Sequence, residues 1–332
     1  MSKSCRQQEQ EMCQPLLGTK VAKKYFMKFF ITCLTLLLTA CGPPLPLNRF
    51  LSHSITQNIA KASENKWFRI IVLDVGQGDA TLLISSEGEA ALIDTGPPES
   101  GAKAVLGVLD DQNIETIKTI FISHAHEDHI GGLEAILKDE HAVNATVIDK
   151  NNAEVGKSLK LGTVSITIKA ANGQIGNEKF PVEELDDENT LSLGLLIEYG
   201  QFRYFTDGDL PGGGGDPPYQ TIDLETPLAP LVGNIDILLV PHHGSHTSSN
   251  ETFLKTLQPE IGILSLGNEN DFYHPHPSVV QRLKKNGVKI YATEQGSLKD
   301  ETEIEIMNDH ICIITDGKDY FVEPYHIDKC TP

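Results

Sequence analysis

The chain has 332 residues, 39% of them hydrophobic, and a formal charge of −19 at neutral pH. The apolar content supports a sizeable core and excludes wholesale disorder, and the length suits one large domain or two modest ones. Residues 1–41 carry six Lys/Arg against two Asp/Glu, so the remainder stands near −23, a surface that repels a phosphate backbone unless a bound cation inverts the local field.

Residues 27–44 read MKFFITCLTLLLTACGPP, with Lys28 ahead of an uncharged apolar stretch of twelve, Phe29 to Ala40. This is shorter than the about 20 residues a bilayer span needs and matches the apolar core of a signal peptide. Leu38-Thr39-Ala40-Cys41 resembles a bacterial lipobox, in which the cysteine is lipidated and the chain is cut before it. The segment 1–41 is therefore read as an extension plus lipoprotein signal peptide, with Met27 the true start, and 42–66 as a tether. Gly42, not aspartate, follows Cys41, which by resemblance to Gram-negative lipoproteins places the mature chain on the outer membrane, facing the periplasm. The competing reading, a buried helix with an incidental cysteine, must contend with Gly42-Pro43-Pro44, which would end any helix.

From Trp67 onward strand-like and helix-like segments alternate. FRIIVLDV, ATLLIS, EAALIDT and TIKTIFIS predict strands, with a helix from Glu99 to Gln112 between the last two. Later strands are predicted at VSITIKA, TLSLGLLIEY, QFRYFTD, DILLV, IGILSL and VKIYAT, and closing strands over 303–323. Helices are predicted at Ile130 to Lys138, Asn250 to Leu257 and Pro277 to Asn286. The strands fall into two sets with helices interspersed, which predicts an α/β fold. Its expected form is an αββα four-layer sandwich over 67–325, two mixed sheets face to face with helices outside, although periodicity alone does not separate this from a doubly wound sheet. The acidic run EELDDE (183–188) reads as a solvated loop, with a calcium site the alternative. GGGG (212–215) reads as a flexible loop placed to act as a lid. The six cysteines show no CxxC spacing, which excludes a zinc knuckle. Cys312 and Cys330 either pair in an oxidising compartment or remain two thiols.

The residues that carry chemistry follow strands. His124-Ala125-His126-Glu127-Asp128-His129 comes directly after a predicted strand and before Gly131-Gly132. In extended backbone His124 and His126 share a face and supply half of a tetrahedral zinc shell. A turn into helix brings Asp128 and His129 to a second position. A closed structural zinc site needs four ligands and no spare ones, yet more follow: Asp207 and Asp209 in YFTDGDL, and His242, His243 and His246 in DILLVPHHGSHTSS. Strand ends on one sheet edge converge, and ligand sites form there.

Taken together and in order, FRIIVLDVGQGDATLLIS, ALIDTG, ISHAHEDHIGG, NTLSLGLLIEYGQFRYFTDGDL, HHGSHTSS and YHPHP resemble the metallo-β-lactamase superfamily. Within it they are similar to the hydrolase domain of ComEC-type competence proteins, over roughly residues 67 to 300. The resemblance implies that His124 and His126 bind one divalent cation, that Asp128 and His129 bind a second, that Asp209 bridges them, and that His243 is the last histidine ligand, with His242 one step before it. Zinc is the expected ion, one or two per chain, with manganese the alternative. The superfamily's usual histidine between the first motif and the bridging aspartate is replaced by Asn189, a weak neutral ligand for zinc. The first site is then loose, holds another metal, or borrows His274 or His276, which equally can face substrate. Asp79, in DVGQGDA, is placed to orient a metal-bound histidine.

Two ions bridged by Asp209 would share a hydroxide that is nucleophilic at neutral pH. Asp128 would hold it in line, and His243, His246, His274 or His276 would protonate the leaving oxygen. The expected function is an envelope-anchored, metal-dependent hydrolase of phosphodiester bonds, DNA among them. The alternatives are a hydrolase of another envelope ester, such as a phosphocholine or teichoic-type ester, and a non-catalytic metal-binding envelope protein. Expected partners are a phosphoester substrate, nucleic acid or envelope polymer or lipid, and the membrane through the lipid anchor only. No protein partner is deducible.

Overall fold

The computed structural model describes residues 67–181, 185, 187–215, 220–268, 270–298, 303–325 and 330. The segments read as signal peptide and tether, with Met27 and Cys41, lie outside the described residues, as do 183, 184 and 186 of the acidic run and 216–219 after the glycines. Among the described residues no helix is long and apolar enough to cross a membrane.

In chain order the first elements are β1 (Phe68–Val72), β2 (Thr81–Ile84), β3 (Ala90–Ile93), α1 (Pro98–Asp111), β4 (Ile117–Phe121), α2 (Glu127–Ile130), α3 (Leu133–Leu137) and β5 (Thr146–Ile148). Then come β6 (Ser158–Leu161), β7 (Val164–Ala171), β8 (Gln174–Ile175), β9 (Glu178–Lys179), β10 (Gly194–Tyr199), β11 (Phe202–Thr206), α4 (Glu225–Val232), β12 (Ile237–Leu239), α5 (Glu251–Leu257) and β13 (Ile261–Leu264). The chain closes with α6 (Pro277–Lys285), β14 (Lys289–Ala292), β15 (Ile304–Ile306), β16 (Ile311–Thr315) and β17 (Tyr320–Pro324).

These strands form two sheets. The first runs β17-β16-β1-β2-β3-β4-β5, and the second runs β15-β14-β13-β12-β11-β10-β7-β8-β9, with β6 paired to β7. Within each sheet a parallel part carries the strands whose ends matter: β3, β4 and β5 in the first, β11 to β15 in the second.

Strand alternation explains the layering, because successive side chains point to opposite faces. Phe68, Ile70 and Val72 of β1 face inward and join Ile166, Ile168, Leu195, Ile197 and Ile263 in the core between the sheets. Ile71 points outward and packs with Leu82, Leu92, Ile120 and the α1 residues Val105, Val108 and Leu109. The outer face of the second sheet, with Leu196, Phe205, Leu238 and Ile290, is covered by Leu228 of α4, Phe253 and Leu257 of α5 and Leu283 of α6. The order is helix, sheet, sheet, helix, the four-layer sandwich expected from the sequence.

Local differences have local causes. The predicted helix from Ile130 is split into α2 and α3 by Gly131 and Gly132. A Cβ on Gly132 would stand 2.5 Å from the Thr95 carbonyl oxygen, so the chain passes close to the loop after β3 only because these positions are glycine. The strand predicted from Thr190 starts at Gly194, because Glu188–Leu191 forms a tight 3₁₀ turn capped by Asp187. Cys312 and Cys330 form a disulfide with Cα atoms 5.9 Å apart.

Candidate metal centre

The parallel strand ends of both sheets open on one cavity of about 570 Å³. β4 ends just before His124, β11 just before Asp207-Gly208-Asp209, and β12 just before the histidine loop that begins at Val240. His126, Asp128, Asp209, His242 and His243 line the cavity, with Asn189, His246, His274 and His276 beside them.

Two donor sets are preorganised: His124, His126 and Asp209 form one, and Asp128, His129 and His243 the other. In the first, His124 Nε2 and His126 Nδ1 are 3.0 Å apart, and Asp209 Oδ2 lies 3.7 Å from His124 Nε2. In the second, His129 Nε2 and His243 Nε2 are 3.3 Å apart, and Asp128 Oδ2 lies 3.3 Å from His243 Nε2. Asp209 Oδ1 reaches this set as well, 3.2 Å from His129 Nε2. A third grouping, Asp79, His129 and Asp209, overlaps both. Ring nitrogens facing each other at these distances need a proton or a cation between them. Asp209 Oδ1 is buried and has no hydrogen-bond donor. This chemistry fits divalent cations shared through Asp209.

The backs of three of these imidazoles, His124, His129 and His243, are held. Asp94 Oδ2 lies 2.9 Å from His129 Nδ1 and accepts from Ser123 Oγ at 2.7 Å, while Asp94 Oδ1 accepts from Ser123 N at 2.7 Å. Ser123 Oγ in turn lies 3.0 Å from His124 Nδ1. His243 Nδ1 is 2.9 Å from the Ser265 carbonyl oxygen and 3.3 Å from Asp79 Oδ1. Such contacts fix the tautomer and leave Nε2 free to bind. The structure therefore puts Asp79 behind His243, at the position expected of an orienting carboxylate.

Asn189 lines the cavity, and its Oδ1 is buried without a partner. His274 and His276 do not enter a donor set. His274 stacks beside His243 at 5.9 Å between ring centroids, with Nδ1 3.5 Å from Gln77 Nε2, and His276 packs on His246 at 4.2 Å. His242 comes closer to the bridge: its Nε2 is 3.4 Å from Asp209 Oδ2, and its Nδ1 is 3.0 Å from Thr247 Oγ1. Glu188, at the end of the acidic run, pairs with Lys150 and accepts from Ala125 N at 3.0 Å. Gly212 N donates to Thr247 O, so the glycine run packs beneath the histidine loop. Cβ atoms on Gly212 and Gly214 would stand 2.1 Å from Glu225 Oε2 and from His246 O.

Charge is strongly polarised around the bridge. Burial opposes ionisation of Asp209, but His242, His129 and His243 outweigh it and hold its pKa well below the usual range. Burial likewise opposes a charge on His129, but Asp209 and Asp94 hold its pKa well above the ordinary imidazole value. His124 is pushed down to about 2 by burial and by neighbouring His129. Burial and His243 push His274 down to about 2 as well.

Asp94 and Ser123 carry no assignment from sequence, although ALIDTG and ISHAHEDH contain them. Asp94 adopts a left-handed φ of 56°, which asparagine also tolerates. Asp94→Asn therefore removes the charge behind His129 without forcing the backbone. Cation binding should weaken about 10–100-fold, measured by equilibrium dialysis of stripped protein. Wild-type affinity in this variant would remove Asp94 from the site.

A second buried acid group lies beneath the loop. Asp207 is fully buried with neither carboxyl oxygen hydrogen-bonded. Burial, reinforced by Glu225, raises its pKa well above the usual range, and burial pushes Glu225 up to about 8. Folded protein therefore holds protons that the unfolded chain releases above a pH of about 4. Because the unfolded state binds fewer protons, stability falls as pH rises from there towards 8, by up to about 1.4 kcal/mol per pH unit for each such group. Melting of metal-stripped Asp207→Asn should fall less steeply between pH 5 and 8 than that of wild type; parallel curves would contradict this.

The sequence matches the metallo-beta-lactamase superfamily model over residues 73–268. The chain belongs to the metallo-β-lactamase superfamily. It is 30% identical over 255 residues to ComE operon protein 3 of Bacillus subtilis, covering 68% of this chain and 31% of that one. It is 32% identical over 227 residues to Recombination protein 2 of Haemophilus influenzae, covering 67% of this chain and 27% of that one. The chain thus spans about a third of the length of these curated relatives. Among solved structures, the metallo-beta-lactamase fold protein YhfI from Bacillus subtilis aligns at a TM-score of 0.44 with 12% identity, covering 69% of this chain and 98% of that one. A further curated relative, Competence protein ComA of Neisseria gonorrhoeae, is 26% identical over 231 residues, covering 68% of this chain and 31% of that one. The resemblance to competence proteins read from the motifs is borne out by the curated relatives, and the superfamily fold by the family match.

Proposed function

We propose that the chain is a metal-dependent hydrolase of phosphodiester bonds, anchored in the cell envelope through a lipidated Cys41. The observation that carries this reading is the placement of Asp209 between two histidine-rich donor sets, its two carboxylate oxygens 3.7 Å from His124 Nε2 and 3.2 Å from His129 Nε2. Divalent cations held there by His124, His126, Asp128, His129, Asp209 and His243, zinc for the imidazoles or manganese for the carboxylates, would supply Lewis acidity and activation of water near neutral pH. Asp128, half-buried at the cavity, positions the nucleophilic side. His242, His246, His274 and His276 line the cavity beyond the donor sets, where an imidazole N–H donates to a phosphoryl or leaving oxygen. The Cys312–Cys330 bridge supports an oxidising compartment.

The names of the relatives favour a nucleic-acid phosphodiester. One observation favours a second reading, a small envelope ester such as a phosphocholine or teichoic-type ester. Among the described lining residues there is no Lys or Arg to hold flanking phosphates, whereas Glu127, Asp187 and the 62% exposed Phe272 are present. The test is metal content of the full purified chain, with hydrolysis of bis-p-nitrophenyl phosphate before and after chelation. Chelator-sensitive turnover is expected, and comparison of an oligonucleotide with a phosphocholine ester separates the substrates. Full metal content without turnover on any of these esters would leave a non-catalytic metal-binding protein.

A further inference from the structure

The histidine loop follows an unusual path. His242, His243 and Ser249 take φ values of 51°, 53° and 58°, and Gly244 takes 81°. Non-glycine residues hold such conformations only where the surroundings fix them. Two side chains from different helices do so at the loop's exit. Arg282 of α6 donates from Nε to Ser249 O and from Nη2 to Ser248 O, both at 2.9 Å. Glu225 of α4 accepts Ser249 N at 2.5 Å and Asn250 N at 2.7 Å. The peptide groups on either side of Ser249 are thus gripped at both ends, carbonyl by arginine and N–H by glutamate. Glu225 is fully buried and Arg282 half-buried. The two side chains bond to the backbone of the loop rather than to each other, so what they contribute is geometry. The same α6 follows directly on the His274–His276 segment, and His276 N donates to Gly244 O at 2.9 Å.

We propose that Arg282 and Glu225 form a positioning clamp that sets the path of the histidine loop and so places His243 in its donor set and His242 beside Asp209. This rests on the metal-binding reading of the site.

The test uses the full chain, stripped and reloaded with Co²⁺. Wild type should bind two ions. Arg282→Met should keep one near wild-type affinity, bind the other at least about tenfold more weakly, and change the visible Co²⁺ spectrum. Arg282→Lys, which keeps the charge but not the fork, should fall between the two. Adding Ser249→Gly to either variant should restore affinity and spectrum, because glycine takes this φ without a clamp. The Lys variant carries the same comparison if the Met variant does not fold. Wild-type Co²⁺ binding by the Arg282 variants, or no rescue by Ser249→Gly, overturns the clamp alone. Failure of wild type itself to bind Co²⁺ overturns the metal reading and the clamp with it.

Discussion

Asp209→Asn is expected to lower phosphodiester hydrolysis by about 10³-fold or more and to reduce bound cations from two to one. Among the described residues Asp209 is the one carboxylate that reaches both donor sets, with Oδ2 towards His124 and Oδ1 towards His129. Without it the first set keeps only His124 and His126, too few to hold an ion against water, whereas the second keeps Asp128, His129 and His243. Asparagine has the same shape, so packing at this buried position is preserved. What disappears is the charge that His242, His129 and His243 surround. A 10³-fold loss corresponds to about 4 kcal/mol of transition-state stabilisation, within what a cation on a phosphoryl oxygen supplies. Elemental analysis and kcat/KM on the same preparation check both halves of the expectation. A variant that retains two cations and wild-type turnover removes the bridging role.

Replacing Cys312 and Cys330 by alanine should cost about 3 kcal/mol and lower the melting temperature by about 6–12 °C. The bond closes a loop of 18 residues and joins β16, which lies between β17 and β1, to a buried Cys330. Arg69 donates to the Cys330 carbonyl oxygen at 3.2 Å, so this contact depends on the bridge holding the segment in place. Neither cysteine lines the cavity, and metal content should not change. A melting temperature within about 2 °C of wild type, with the thiols verified as absent, would contradict the expectation.

The parts of the site that could be read from sequence are those written contiguously or announced by a strand. HAHEDH crowds its donors into six positions, and Asp209 and His243 each follow an apolar run. Their meeting follows from parallel strands of both sheets that end on one cavity. The supporting groups were hidden, because Asp94 contacts His129 across 35 residues and Arg282 reaches Ser249 across 33. A single Asp or Arg carries no mark of such a partner. Helix α4 is not legible in the sequence because ETPLAPLV contains Pro227 and Pro230, which depress helix propensity until packing of Leu228 and Val232 on the second sheet overrides it. GGGG reads as freedom in a sequence, but Gly212 and Gly214 are demanded by contact with Glu225 and His246. The layer order needed the alternation of whole strands, which short runs such as β15 and β17 do not display.

The HAHEDH ligands follow β4 of the first sheet, while Asp209 and His243 follow β11 and β12 of the second. Neither half of the sandwich can retain a complete centre by itself. Occupancy would therefore rivet the two halves together, and the energy of ion capture would resist any motion that slides one sheet over the other.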